Sequence, residues 1–210
     1  GGLVSAAGAH KRPLLIALGL TATYTVVEVA VGFSIGSLAL VSDAGHMLTD
    51  VACLGMALAA IQVAQSQRSA SATFGLYRLE ILAALVNSVL LFGIAIYVLV
   101  EAWQRFQDPV EIPGGWLILV ATVGLAVNVV SFLLLRRGAK ESLNVRGAFL
   151  EVMSDMLGSI GVIVAGIVLI TTGWPYVDSI VGVGIGLFIL PRAYRLGKEA
   201  LRVLLQVAPA

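Results

Sequence analysis

The sequence predicts an all-α membrane protein built as a bundle of six transmembrane helices. Three observations predict this fold: 59% of the 210 residues are hydrophobic, only 12% are charged, and the mean hydropathy is +1.00. A soluble domain carries about 25% charged residues, so most of this surface is expected to face lipid. The long apolar runs favour helices, because barrel strands would alternate over about 10 residues.

Six segments approach the roughly 20 apolar residues that a helix needs to cross a hydrocarbon core about 30 Å thick. In chain order they are residues 13–33, 38–63, 79–100, 116–135, 149–170 and 176–194. The pieces between them are too short to bury a core of their own. We therefore predict one membrane domain over residues 13–196, with an N-terminal segment at 1–12 and a C-terminal tail at 197–210.

The lysines and arginines predict the orientation of this bundle. Of the 13, all except Arg105 fall near the termini or in the second-to-third and fourth-to-fifth connections, which would lie on one side of the membrane. The positive-inside rule places that side, and with it both termini, in the cytoplasm. We expect a multi-pass protein of a bacterial inner membrane.

The charge and the cysteine content argue against two classes of protein. A net charge of only +1, with no basic stripe interleaved with aromatic residues, argues against a nucleic-acid partner. The single cysteine, Cys53, excludes an internal disulfide and a CxxC motif. The lipid bilayer is the expected surrounding partner.

Charged residues inside the predicted spans are candidates for function, since each costs at least about 2.5 kcal/mol to insert. Asp43, His46 and Asp50 lie on one face of the second span, and Glu151 and Asp155 share a face of the fifth. Each span offers a pair of ligands one turn apart, His46 with Asp50 and Glu151 with Asp155. If the two helices meet, these pairs supply one imidazole and three carboxylates, which can bind a four-coordinate divalent cation such as Zn²⁺. Without the metal, protons are expected to neutralise the carboxylates, so metal binding would release H⁺.

The remaining polar residues of the spans have supporting or open roles. Asp43 is expected to lie in the ion pathway, and Asn128 either joins two helices or supports the metal-binding residues. Glu28 either takes up a proton or pairs with a neighbouring helix. Asp178, at the start of the sixth span, is expected to have an N-terminal role in that helix, favoured by the helix dipole.

A structural alternative is also open for the fifth span. Glu151 and Asp155 could form ion pairs with Arg146 near the end of that helix, instead of binding a metal.

Three segments resemble the cation diffusion facilitator family: residues 42–50 (SDAGHMLTD), 74–87 (FGLYRLEILAALVN) and 151–159 (EVMSDMLGS). The resemblance spans all six predicted helices. It implies a transporter, not an enzyme, that exchanges Zn²⁺ or a related divalent ion for protons and needs no cofactor. It also places His46, Asp50, Glu151 and Asp155 at the four metal-binding positions of the family.

The sequence departs from the family pattern at three points. Glu151 stands where zinc-transporting relatives commonly have His, so Zn²⁺ is the expected ion and Mn²⁺, Fe²⁺, Co²⁺ and Cd²⁺ are alternatives, since carboxylates suit harder ions. The second-to-third connection has no His or Asp for an accessory metal site. We also expect the family's cytoplasmic ferredoxin-like domain and His-rich loop to be absent, which leaves open whether the chain forms a homodimer.

The predicted function is proton-coupled efflux of a divalent metal from the cytoplasm by alternating access. One alternative is an intramembrane hydrolase of the aspartyl type, using Asp50 and Asp155. The absence of an HExxH motif argues against a zinc protease, as does a site whose four ligands leave no position for a catalytic water. The other alternative is a metal-binding membrane protein that does not transport.

Overall fold

The computed structural model describes residues 11–65, 70–137, 140 and 143–206. Across these ranges the chain forms six α-helices and no β-strand. They are α1 (Lys11–Ile35), α2 (Leu38–Gln65), α3 (Ala70–Gln107), α4 (Gly114–Leu135), α5 (Leu143–Thr172) and α6 (Tyr176–Gln206). The all-α fold class predicted from the sequence is confirmed.

Five of these helices are long and apolar enough to cross a membrane: α1, α3, α4, α5 and α6. The helix outside this group is α2, which carries Asp43, His46 and Asp50. The chain is therefore a multi-pass membrane protein, whereas the sixth crossing and the cytoplasmic termini stay predictions.

Several helices are longer than the apolar runs that predicted them. α3 begins at Ala70 instead of residue 79, and α6 continues past Pro191 to Gln206 instead of ending at residue 194. A helix satisfies its own backbone hydrogen bonds, so it can extend beyond the hydrocarbon core into polar surroundings. Residues 197–206 of the predicted tail are thus helical, and residues 1–10 and 207–210 lie outside the described part of the chain.

The helices divide into a four-helix unit and a pair. In the unit, α1 and α5 each contact both α2 and α4. The pair consists of α3 and α6, which pack against each other and against α2, and α6 also reaches α5. α2 therefore contacts four helices, α1, α3, α5 and α6. These neighbours shield its polar side chains from lipid, where they would be costly.

Asp178, in the first turn of α6, fixes the start of α2. Its carboxylate accepts hydrogen bonds from Ser37 Oγ at 2.6 Å and from the backbone N–H groups of Leu38 at 2.8 Å and Ala39 at 3.3 Å. The first N–H groups of a helix have no partner within that helix, so Asp178 satisfies them. Arg105 of α3 lies 3.7 Å from the same carboxylate. Asp178 thus lies in the first turn of its own helix, α6, as the sequence predicts, and its hydrogen bonds to the start of α2 are a further role that the sequence did not predict.

Candidate metal centre

A layer of polar side chains separates two apolar clusters in the four-helix unit. Along α5, Asp155 lies between Val152 of one cluster and Val162 of the other. The outer surface has the opposite character, with large apolar side chains such as Val26 and Leu157 about 70% exposed where lipid would surround them. The buried side chains of the polar layer therefore need partners within the protein.

His46, Asp50 and Asp155 meet in this layer. One ligand atom from each residue can be chosen so that all three atoms lie within 4.8 Å of one another. His46 Nδ1 is 3.4 Å from Asp155 Oδ1, and each of the three residues is at most 3% exposed. His46 and Asp50 lie one turn apart on α2, and Asp155 comes from α5 across the α2–α5 contact. We call these residues the three-ligand cluster.

Within the residues that the structure describes, the polar atoms of the three-ligand cluster have no hydrogen-bond partners. This holds for both ring nitrogens of His46 and for all four carboxylate oxygens of Asp50 and Asp155. A buried polar atom without a partner costs about 1–3 kcal/mol, so six such atoms in one place would be strongly destabilising if their only role were packing. A divalent cation that accepts nitrogen and oxygen ligands would satisfy them together.

Glu151, the fourth predicted ligand, lies outside the three-ligand cluster. It sits one turn before Asp155 on α5, and its carboxylate accepts a hydrogen bond from Arg192 of α6 in a direct ion pair. The partner that the sequence offered was Arg146, but α6, and not the beginning of α5, faces this carboxylate. The structure therefore brings together three of the four predicted ligands, whereas the fourth, Glu151, forms an ion pair with Arg192.

Sequence reasoning missed Arg192, and a signal for it was present. Arg192 falls within the predicted sixth span, 176–194, and an arginine at membrane depth is itself a reason to expect a function. Grouping it with the arginines of the membrane surface concealed that signal.

Asp43 and Glu28 lie together beside the three-ligand cluster. Both are buried, at 1% and 0% exposure, on the contacting helices α2 and α1, and within the described part of the chain neither carboxylate oxygen of Glu28 has a hydrogen-bond partner. The charge of Asp43 also acts on Asp155. Both roles predicted for Glu28 therefore stay open, because two carboxyl groups pair with each other only when one of them carries a proton.

Asn128 of α4 is also part of the buried interior. It is 1% exposed, and neither polar atom of its amide has a hydrogen-bond partner among the described residues. Its predicted role in supporting the metal-binding residues stays a prediction.

The chain was compared with known protein families and with curated proteins. The model of the cation efflux transmembrane domain matches residues 14–205. The chain belongs to the cation efflux family. The family resemblance that the motifs predicted is thereby confirmed.

Three relatives in this family illustrate the similarity. The metal cation efflux system protein CzcD of Cupriavidus metallidurans is 50% identical over 202 residues, which cover 96% of this chain and 64% of CzcD. The zinc transporter ZitB of Escherichia coli is 46% identical over 201 residues, covering 95% and 64%. A cadmium, cobalt and zinc/H⁺–K⁺ antiporter of Bacillus velezensis is 42% identical over 206 residues, covering 97% and 66%.

The chain spans just under two thirds of the length of these relatives. The relatives are transporters and not enzymes, so family membership excludes the hydrolase that the sequence left open. The bacterial relatives also agree with the predicted location in an inner membrane.

Proposed function

We propose that this chain exports a divalent transition metal from the cytoplasm in exchange for protons, and that Zn²⁺ is its main substrate. The observation that carries the proposal is the three-ligand cluster of His46, Asp50 and Asp155, which is buried and without hydrogen-bond partners. One imidazole nitrogen and carboxylate oxygens form a donor set that Zn²⁺ accepts. The names of two relatives, a zinc transporter and a cadmium, cobalt and zinc antiporter, support the same class of ion.

Glu151 is proposed as the fourth residue of the site. It lies one turn from Asp155 on α5 and is held in the ion pair with Arg192, so it is proposed to act on the bound ion through its charge and not as a coordinating ligand. A carboxylate at this position makes Mn²⁺ and Fe²⁺ competing ions, because they are harder than Zn²⁺ and suit oxygen ligands. Co²⁺ and Cd²⁺ are competing ions because the antiporter of Bacillus velezensis is named for them.

Proton exchange follows from the chemistry of these ligands. A carboxylate or an imidazole binds a metal only in its deprotonated form, so metal binding releases protons. When the ion leaves, the carboxylates of Asp50 and Asp155 stay buried at 1% and 0% exposure, and protons then neutralise them. Asp43 and Glu28, beside the cluster, lie where they could relay such protons.

Alternating access is proposed to occur between the α3–α6 pair and the four-helix unit. The three-ligand cluster belongs to the unit, whereas α6 places Phe188 and Arg192 against it. A shift of the pair relative to the unit would uncover the cluster on one side of the membrane and cover it on the other. In this arrangement α2 is the sixth membrane crossing and both termini lie in the cytoplasm.

The test is Zn²⁺ uptake into proteoliposomes under an imposed pH gradient. Asp50→Asn and Asp155→Asn keep the size of each side chain and remove its charge, and both should abolish gradient-driven uptake. Asp108→Asn, at an exposed position just after α3, is the matched control and should transport as the parent does. Uptake that survives in both site variants would refute the proposed site. Zn²⁺ binding without flux in the parent would identify a metal-binding protein that does not transport.

A further inference from the structure

The positively charged side chain of Arg192 lies near the three-ligand cluster. Phe188 and Arg192 are one turn apart on α6 and so share a face, and the Phe188 ring lies 6.0 Å from the His46 ring. Arg192 forms its ion pair with Glu151 on this side, and its charge also acts on His46 and Asp155. The guanidinium therefore belongs to the electrostatic surroundings of the bound ion.

The charges of the site explain why a cation is useful there. Asp50, Asp155 and Glu151 bring three carboxylates, and a divalent ion neutralises only two of them. Arg192 supplies the remaining positive charge through its guanidinium. Because the Glu151 side chain is only 15% exposed and that of Arg192 36%, solvent screens this interaction incompletely.

We propose that Arg192 sets the affinity of the metal site by neutralising Glu151. The inference rests on the proposed transport function and concerns the same site. Arg192 does not touch the ion in this account. It is a positioning residue that holds the surplus carboxylate, so that the ion is bound firmly enough to be selected and loosely enough to be released.

The two partners of the ion pair should then have opposite effects on Zn²⁺ binding. Arg192→Gln leaves a surplus negative charge, so the ion should bind more tightly and leave more slowly, with a lower KM and a lower kcat for transport. Glu151→Gln leaves an uncompensated guanidinium that repels the ion, so KM and the dissociation constant should rise. The double variant removes both charges and should return to a dissociation constant near that of the parent.

The experiment is a double-mutant cycle on the purified chain, with ZnCl₂ titrated in detergent by calorimetry and Zn²⁺ flux measured in proteoliposomes. We expect each single variant to change the dissociation constant at least about tenfold, in opposite directions, since a unit charge acts on a divalent ion in a poorly screened site. Arg192→Lys keeps the charge but loses the planar geometry, so it should fall between the parent and Arg192→Gln. Arg195→Gln removes the same charge from an exposed side chain three residues further along α6 and should have little effect.

The outcomes separate this inference from a structural role and from the proposed function itself. If both single variants weaken binding, or if the double variant is weaker than either, the ion pair only holds α5 and α6 together and the inference is wrong. An Arg192→Gln effect no larger than that of Arg195→Gln would also overturn it. Asp155→Asn is run alongside: a parent that binds Zn²⁺ no better than Asp155→Asn refutes the proposed function, whatever the cycle gives.

Discussion

Replacing Asp178 by alanine should destabilise the bundle without touching the three-ligand cluster. The substitution removes the acceptor for the Ser37 hydroxyl and for the N–H groups of Leu38 and Ala39, and it leaves Arg105 without this carboxylate. Because Asp178 is 0% exposed, bulk water does not reach the donors that would lose their acceptor. The variant therefore loses the contact that joins α6, α3 and the start of α2.

The size of the effect can be worked from these contacts. Removing one partner of a buried charged pair costs about 3–5 kcal/mol, and this range already includes hydrogen bonds that are lost together and do not add. For a chain of this length 1 kcal/mol corresponds to roughly 2–4 °C in Tm, so Asp178→Ala should lower Tm by about 10 °C. Asp178→Asn keeps an oxygen acceptor and should lose less than half as much.

The assay is thermal unfolding in detergent, followed by the fluorescence of Trp103, Trp116 and Trp174. Asp108→Ala is the control, since it removes an exposed carboxylate near the same end of α3. A fall in Tm that is no larger for Asp178→Ala than for Asp108→Ala would refute the assignment of Asp178 as the cap of α2.

Three further predictions concern helix packing and ion choice. Tyr24→Phe removes a 2.9 Å hydrogen bond to a carbonyl of α4 and should cost about 1 kcal/mol in the same unfolding assay. Gly182→Ala should lower Tm because its Cβ would lie 2.9 Å from Leu38, whereas Gly184→Ala, with open space around it, should not. His46→Asp replaces the imidazole of the cluster by a carboxylate and should raise Mn²⁺ uptake relative to Zn²⁺ in competition flux assays.

The fold class and much of the candidate site could be predicted because both depend on local spacing. Apolar runs of about 20 residues mark helices that cross lipid. His46 and Asp50, four residues apart, must lie on one helical face, and a buried charge such as Asp155 must find partners. The contact between α2 and α5 then brings these three residues together, as the sequence predicted for them.

The rest could not be predicted because it depends on which helices are neighbours. Glu151 and Arg192 are separated by 41 residues, and only the packing of α6 beside α5 shows that they meet. Asp178 was predicted to act at the N-terminus of its own helix, α6, and nothing local shows that it also binds the start of α2. The ends of α3 and α6 were also missed, since an apolar run shows where lipid ends and not where the helix ends.

X-ray absorption at the zinc K-edge, on the chain loaded with one equivalent of ZnCl₂, tests the central claim most directly. A bound ion in the three-ligand cluster should show only nitrogen and oxygen ligands at about 2.0–2.2 Å, with outer scattering from one imidazole ring. That ring signal should disappear in His46→Asn. A zinc spectrum with the same ring signal in parent and variant, or with no ring signal in the parent, would contradict the assignment of His46, Asp50 and Asp155 as the metal-binding residues.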